Sequence, residues 1–542
     1  MAWGAPIKGA GSGRKSARRC IAFGVVCMDS PTRELELKVE LAAGQWRQLL
    51  SNPALEGMAA GPAQLRKLES VYYDTADHIL HRNGISLRVR RSGRKVRQTV
   101  KAETGVRGGV SNPLEVETDL DAAEPSLAAI EGPVGERVRA LVGGELVRPM
   151  FETVVERSSR LLSPPGGGSV ELALDEGSIR AGDAVAAIHE AELELRAGDA
   201  ATLLAVAEAL LGGIEFRLGL LSKAERGYRL LRGDEDLSVG PEKSIPEPVG
   251  EDQSCAEVFA ATCRSATRQI LHNWQVVVDS AGPEGPHQLR IGLRRLRSAL
   301  RAFRPAIDSD ALRALGDEAR QLARRVGALR DLDVLAVEIV GPLALRGVSG
   351  DGFPALQKLL TKRSARQRAR LQRDLADVRW SPLRLKLALL AHGAGWAECA
   401  GSEAASAPAA SQARLAMRKA WKRVKHEALR LDELSVPERH ELRKRLKMLR
   451  YAAEFFTPLF PEAETGRFLK RLRRLLDTFG YLNDVAMAET LSDLCRAEAA
   501  PDSERDAAAG YVLGWHSARA EKAWEGVPMR WRQLKQAERF WR

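Results

Sequence analysis

Cysteine is scarce in this chain of 542 residues, and the six that occur are scattered at positions 20, 27, 255, 263, 399 and 495. No CxxC pair or zinc-ligand spacing appears, so neither a disulfide framework nor a zinc module is encoded and a reducing cytoplasm is the expected compartment. Long apolar runs are missing too; none approaches the roughly 20 residues of a membrane span. The early run IAFGVVCM is too short for a secretory signal. Translation beginning at Met28 is the plainer reading, which leaves residues 1–30 as a disordered basic leader or a start placed too early. There is no P-loop, GxSxG or HExxH sequence, so the common signatures of nucleotide-binding, serine-hydrolase and zinc-peptidase chemistry are absent.

What is present is a soluble, globular composition, 44% hydrophobic and 28% charged, long enough for two to four domains. The net charge of +12 is unevenly spread, about −8 over residues 31–251 and about +16 over 252–542. Such a division suggests metal-binding carboxylates in the first half and a polyanionic partner for the second.

The first half reads as strands with one charged face each. In TRELELKVEL, residues 32–41, Glu34, Glu36, Lys38 and Glu40 alternate with Leu35, Leu37, Val39 and Leu41. Later segments repeat the theme with Arg88 and Arg90, with Lys101, with Glu115, Glu117 and Asp119, with Glu171 and Asp175, and with Glu190, Glu192 and Glu194. One such strand is an ordinary solvent-facing strand. Half a dozen suggest a closed sheet with a charged interior, in which acidic and basic walls must coexist because like charges alone are too costly to bury.

The ELELK at 34–38 resembles the ExExK signature of the CYTH domain, a family of triphosphate tunnel metalloenzymes. YYDT at 72–75, SLRVR, VKA at 100–102, EVE at 115–117, RSSRLL, LDEGSI, EAELELRAG and LSKAERGY follow in the order of that family. The resemblance covers about residues 31–232 and implies an eight-stranded antiparallel tunnel that binds triphosphates with Mg²⁺ or Mn²⁺, most members hydrolysing them. It assigns Glu34, Glu36, Glu192 and Glu194 as metal ligands, and Lys38, Arg88, Arg90, Lys101, Arg157 and Lys223 as cations for phosphate oxygens. Glu115 and Glu117 join the metal or position water, so the implied catalytic set is Glu34, Glu36, Lys38, Glu115 and Glu117. In many relatives an arginine precedes this strand's acidic pair; Pro113 stands there instead, with Arg107 and Arg160 as candidates to compensate.

Residues 233–254, rich in Pro, Gly and acidic side chains, read as a linker. The pattern then turns helical. HQLRIGLRRLRSALRAF, 287–303, stacks Arg290, Arg294, Arg297 and Arg301 on one face and Leu289, Leu293, Leu296 and Leu300 on the next. HELRKRLKMLRYAAEFF, 440–456, repeats it: Arg443, Lys447 and Arg450 take the offsets of the first three arginines. Gly327 and Asp331 stand 40 and 44 residues after His287, as Gly480 and Asp484 stand after His440. This is a duplication: repeat 1 at 255–396, a low-complexity linker at 397–412 and repeat 2 at 413–530, two helical bundles related by a pseudo-twofold. Asp331 and Asp484 are expected to cap helices or orient the arginines; Lys444 and Arg445 fall on other faces and are expected in solvent.

HxLR with its basic followers, LRDLDV, LNDV and the late GW resemble the CHAD domain over about 255–525. That resemblance implies a basic groove for inorganic polyphosphate lined by His287, Arg290, Arg294, Arg297, Arg301, His440, Arg443, Lys447 and Arg450. The nearby aromatics lie at helix ends and read as core, so nucleic acid is disfavoured. The expected whole is an α+β protein: a metal-dependent triphosphatase acting on tripolyphosphate, tethered to polyphosphate and located in the cytoplasm with polyphosphate granules. The alternatives are a non-catalytic polyphosphate adaptor and a class IV-type adenylate cyclase.

Overall fold

Alternation makes the first strand, β1 (Glu36–Glu40), a two-sided ribbon, with Leu37 and Val39 wholly buried on one side and Glu36 and Lys38 on the other. The computed structural model describes residues 34–102, 105–106, 108–234, 236–344, 352–498 and 501–542; the leader at 1–30, Met28 included, and Arg107 lie outside the described residues. After β1 come β2 (Gln64–Asp74), β3 (Ile85–Ser92), β4 (Lys95–Ala102), β5 (Val110–Ser111), β6 (Leu114–Leu120), β7 (Arg148–Leu162), β8 (Ser169–Ala181), β9 (Ala184–Ala197) and β10 (Arg217–Leu218). All described pairings are antiparallel, in the order β10-β1-β9-β8-β7-β2-β3-β4-β6. Eight of these strands are long, as expected; β5 and β10 are two-residue additions on β1.

Closure comes from one bent segment. β5 pairs with β1, placing Ser111 opposite Glu36, while β6 pairs with β4, placing Glu115 opposite Lys101. Pro113 sits between the two, where the ladder changes partner and no backbone N–H is required. Leu37, Val39, Leu172 and Leu193 belong to the same core as Leu203, Val206 and Leu210 of the helix Ala200–Leu211. The barrel is therefore apolar outside, under helices, and ionic inside.

The helical half repeats its order. Helix Cys255–Asp279 precedes the first stripe helix, Glu284–Phe303, and then Asp310–Val334; Ala409–Glu427 precedes the second, Val436–Phe456, and then Glu462–Ala488. Leu289, Leu293 and Leu296 are fully buried, and so are Leu442, Leu446 and Leu449. The stripe helices meet through Phe303 and Phe456, 5.1 Å apart between ring centroids, through Arg295 and Glu454 at 3.6 Å, and through Ser298 and Met448 at 3.5 Å.

Two expected linkers are more structured than composition suggested. Residues 397–412 form the short helices Ala397–Ala400 and Glu403–Ser406 and the start of Ala409–Glu427, because small residues are good helix formers once packed. The segment at 236–254 runs along Cys255–Asp279: Arg268 grips Glu242 at 2.6 Å, and the Ser265 hydroxyl donates to the Ile245 carbonyl at 2.7 Å. The second repeat also runs past 530, since Phe540 and Trp541 are buried in its core.

One continuous core spans both halves, from Leu37 and Val39 to Phe303 and Phe456. Phe303→Ala should cost about 3–5 kcal/mol in chemical denaturation, with tunnel and helical signals moving together; a shift confined to the helical signal would show that the core is not energetically continuous.

Candidate functional site: the ionic tunnel and the paired arginine helices

The tunnel encloses a cavity of about 210 Å³. Strand alternation brings Glu36, Lys38, Arg88, Arg90, Lys101, Glu115, Glu117, Arg157, Glu192 and Glu194 to its wall from six strands, joined by Glu34 just before β1 and Lys223 of the helix Lys223–Leu231. β1 and β9 set the register, with Lys38 opposite Glu192 and Glu36 opposite Glu194.

Deep in the lumen the charges are knotted. Lys223 Nζ lies 2.8 Å from Asp175, 2.6 Å from Glu190 and 2.8 Å from Glu192. Arg157 makes two 2.6 Å bonds to Asp175 and a 2.5 Å bond to Glu192, and Lys38 reaches Glu192 at 2.9 Å and Glu36 at 3.0 Å. Burial alone would raise the Glu192 carboxyl and depress the Lys38 ammonium. Lys223, Lys38 and Arg157 overcome this for Glu192, and Glu192 and Glu36 do so for Lys38, so both stay charged.

Beside the knot, cations are in excess. Arg90 is pushed down to about 9, first by burial and then by Arg88 and Arg157; its Nε donates only to the Ser70 hydroxyl, at 3.3 Å. Arg88 reaches Glu115 only at 4.0 Å, and its buried Nε has no hydrogen-bond partner among the described residues. Around Glu34, Glu36 and Glu194, carboxylates are in excess. Burial, then a hydrogen bond to Glu115, pushes Glu34 up to about 8; burial, then Glu36 against the pull of Arg196, pushes Glu194 up to about 7. Lys101 serves both Glu115, at 2.5 Å, and Glu34, at 3.4 Å.

Glu34, Glu36 and Glu194 offer carboxylate oxygens, the donor type a hard divalent ion takes, but the three do not meet within 4.8 Å as a ready-made trio. Among the described residues, it is Asp175, Glu190 and Glu192 that bring oxygens within 4.8 Å of one another. There, however, the Lys223 ammonium already stands where an ion would sit, so metal binding at that trio requires its displacement. Glu192, expected beside Glu194 as a ligand, belongs to this trio and is bonded by three cations, Lys38, Arg157 and Lys223.

Glu117 sits at the edge of the cavity, tied to Arg97 at 2.8 Å and 40% exposed, away from the buried charges. Arg160 does not replace the arginine missing at Pro113: it grips Glu56 at 2.6 Å and is not part of the cavity wall. Arg196 lines the cavity in its stead, paired with Glu194 at 2.6 Å. It shares a strand face with Glu190, Glu192 and Glu194, so continuing the alternation by two residues would have found it. Tyr72, beside Arg88, and Ser111, which donates to Glu36 at 3.1 Å, carried no comparable charge signal.

In the helical half, the N-terminal ends of the two stripes converge. Arg290, Arg294, Arg443 and Arg450 crowd Lys447, whose ammonium is pushed down to about 6, first by burial and then by those arginines. The buried Nε atoms of Arg294, Arg443 and Arg450 have no hydrogen-bond partner among the described residues. Arg290 donates to Asp331 at 2.9 Å, and Asp484 faces the equivalent Arg443. These aspartates therefore orient arginines from within helices and do not cap them. His440 Nδ1 lies 2.8 Å from Asn483 Oδ1, and burial with Arg330 holds His287 below its ordinary value.

The first stripe divides along its length. Arg297 and Arg301 lie not with Lys447 but with Arg320, Arg324, Arg423 and Arg445. A cavity of about 1220 Å³ opens there, and Arg445, expected in solvent, is on its wall.

These features define an antiparallel β-tunnel with an ionic lumen, joined to a duplicated helical domain. Residues 32–228 match the CYTH domain and residues 261–493 the CHAD domain; the chain is a CYTH–CHAD fusion. An uncharacterised protein of Mycobacterium tuberculosis is 26% identical over 431 residues, 74% of this chain and 79% of that protein. The inorganic triphosphatase of Haemophilus influenzae is 29% identical over 168 residues, 30% of this chain and 46% of its own length. Among solved structures, the CHAD domain of Ricinus communis is 26% identical, covers 56% of this chain and 98% of its own, and gives a TM-score of 0.48. Among the described residues no helix is long and apolar enough to cross a membrane.

The depressed Lys447 has a measurable cost. Its folded value of about 6 lies below the ordinary 10.5, so the unfolded chain binds the extra proton between these limits and stability rises with pH across them. Lys447→Met should therefore raise the melting temperature, most at pH 6 and less as pH approaches 10; an equal gain at every pH would count against the buried, crowded lysine.

Proposed function

We propose that the tunnel hydrolyses a short linear triphosphate, inorganic tripolyphosphate first, and that the helical domain binds longer inorganic polyphosphate. The observation that carries this reading is the crowding of Arg88, Arg90 and Arg157 beside Lys38, Lys101 and Lys223, with Arg90 lacking a carboxylate partner among the described residues. Linear phosphoanhydride supplies oxygens at close spacing to all of them. The Haemophilus influenzae relative, named an inorganic triphosphatase, supports the choice of substrate.

Each group then has a task. Lys38, Arg88 and Arg157 hold phosphate oxygens and neutralise charge on the group that leaves. Arg90 and Lys223 fix the far end of the chain, while Lys101 keeps Glu115 ionised and in place. Mg²⁺ or Mn²⁺ bound by Glu34, Glu36 and Glu194 would supply charge neutralisation and a more acidic attacking water. In the helical domain Arg290, Arg294, Arg443, Lys447 and Arg450 take successive phosphates, and His287 and His440 flank them. A chain holding polyphosphate this way would gather at polyphosphate granules.

Purified protein with Mg²⁺ and tripolyphosphate should release phosphate, and Glu36→Gln or Lys38→Ala should lower kcat/KM by about 100-fold or more. Unchanged rates in both variants would reject the tunnel assignment. Absence of phosphate release with polyphosphate binding retained would favour the adaptor, and cyclic AMP formed from ATP would favour the cyclase.

Arg290→Glu combined with Arg443→Glu should abolish polyphosphate binding while leaving the circular dichroism spectrum intact. Wild-type affinity should fall steeply with salt, as counterion release requires; retained binding by the double variant would place the polyanion elsewhere.

A further inference from the structure

The backbone of Lys38 is held by two turns that the helical domain backs. Its N–H donates to the Gly109 carbonyl at 2.8 Å, and its carbonyl accepts from the Gly219 N–H at 2.9 Å. Next to it, β10 pairs Leu218 with Val39 and Arg217 with Glu40. There is no slack on this edge. A Cβ on Gly219 would stand 3.0 Å from the Lys38 Cβ, and Gly108, at φ +63°, packs so closely that a Cβ would meet Leu271 of the helical domain at 2.6 Å.

The strand β10 is itself held from the helical side. The Arg384 guanidinium donates to the Phe216 carbonyl at 2.6 Å and lies 4.3 Å over the Phe216 ring. The Ser381 hydroxyl, which accepts from Arg384 at 3.0 Å, donates to the Ile214 carbonyl at 2.9 Å. Arg384 is only 6% exposed, its hydrogen bonds go to a carbonyl and a hydroxyl rather than a carboxylate, and its Nε has no partner among the described residues. A buried cation in that state costs stability, and an apolar side chain of the same length would dock the two domains more cheaply. What the apolar chain could not provide is a donor fixed on the end of β10.

We propose that Arg384 is a positioning residue for the tunnel: by holding Phe216 it keeps β10 on β1, and so sets where Lys38 places its ammonium. The helical domain is then part of the tunnel wall as well as a polyanion binder. This inference rests on the triphosphate reading of the tunnel.

The test is a double-mutant cycle on tripolyphosphate binding, read by calorimetry without turnover in chelator, using chains that carry Arg290→Glu and Arg443→Glu so that the groove does not contribute. Binding by the chain with Lys38 and Arg384 intact tests the triphosphate reading by itself. If it binds, Arg384→Met should weaken the dissociation constant on the order of tenfold while the melting temperature holds or rises. In a Lys38→Met background the same change should add less than about twofold, because its effect runs through Lys38. An unchanged dissociation constant in Arg384→Met, or losses that multiply in the double variant, would overturn the proposal. Should Arg384→Met fail to fold, Ser381→Ala takes its place: it should weaken binding in the same direction and again add nothing once Lys38 is removed, and an unchanged dissociation constant would count against Arg384.

Discussion

Buried charge has to be answered by opposite charge, and the tunnel is built around that requirement. At an effective dielectric constant of about 20, two unit charges 4 Å apart interact by about 4 kcal/mol, so a lumen of mixed ions is stable only when neighbours alternate in sign. The knot of Lys223, Arg157 and Lys38 with Asp175, Glu190 and Glu192 meets this condition locally. The regions beside it do not. Arg90 stands beside Arg88 and Arg157 without an ion pair among the described residues, while Glu34 and Glu194 are each paired with one cation, Lys101 and Arg196, against several carboxylates. An anion would relieve one imbalance and a cation the other. A metal-bound phosphate chain answers both together, and no neutral ligand could.

The helical domain shows a weaker form of the same imbalance. Asp331 and Asp484 each serve the equivalent arginine of their own repeat, Arg290 and Arg443, leaving Arg294 and Lys447 without an ion pair among the described residues. Arg450 has only Glu454, at 3.7 Å on its own helix. In the tunnel the charges are enclosed and largely paired, which suits a small ligand held in one register. At the stripes they are half-exposed and mostly of one sign, which suits a long flexible polyanion bound by its repeating charge.

Much of this was legible because two periodicities are robust. Period-two alternation located the lumen residues of β1, β3, β6 and β9, since a strand cannot send Glu36 and Lys38 to different faces. The duplication located both stripe helices, because leucines and cations recurred together. What escaped depended on packing between elements. Nothing in the order of residues 287–303 says that Arg290 and Arg301 end among different cations; how the two stripe helices pack decides it. Glu192 and Glu194 look alike along the strand, yet Lys223 arrives from a later helix beside only one of them. Arg160 was a candidate replacement for the arginine missing at Pro113, yet it pairs with Glu56 away from the cavity wall, and Arg196, which lines that wall, was not among the candidates.

The inverted polarity of the barrel also explains why the two domains are not beads on a string. A sheet with ions inside must cover its apolar outer face, and Leu37 and Val39 lie in a core that continues through Leu271 and Phe303 to Phe456. Where one hydrophobic core serves two sites, occupancy of either stabilises the fold that the other needs, by the mass action of any ligand that prefers the native state. The ordered segment along Cys255–Asp279, with Glu242 clasped by Arg268, removes the slack that would otherwise uncouple them. A flexible linker would let a bound polyanion bring substrate near the tunnel. A shared core goes further, making the rigidity of the tunnel wall depend on the helical domain.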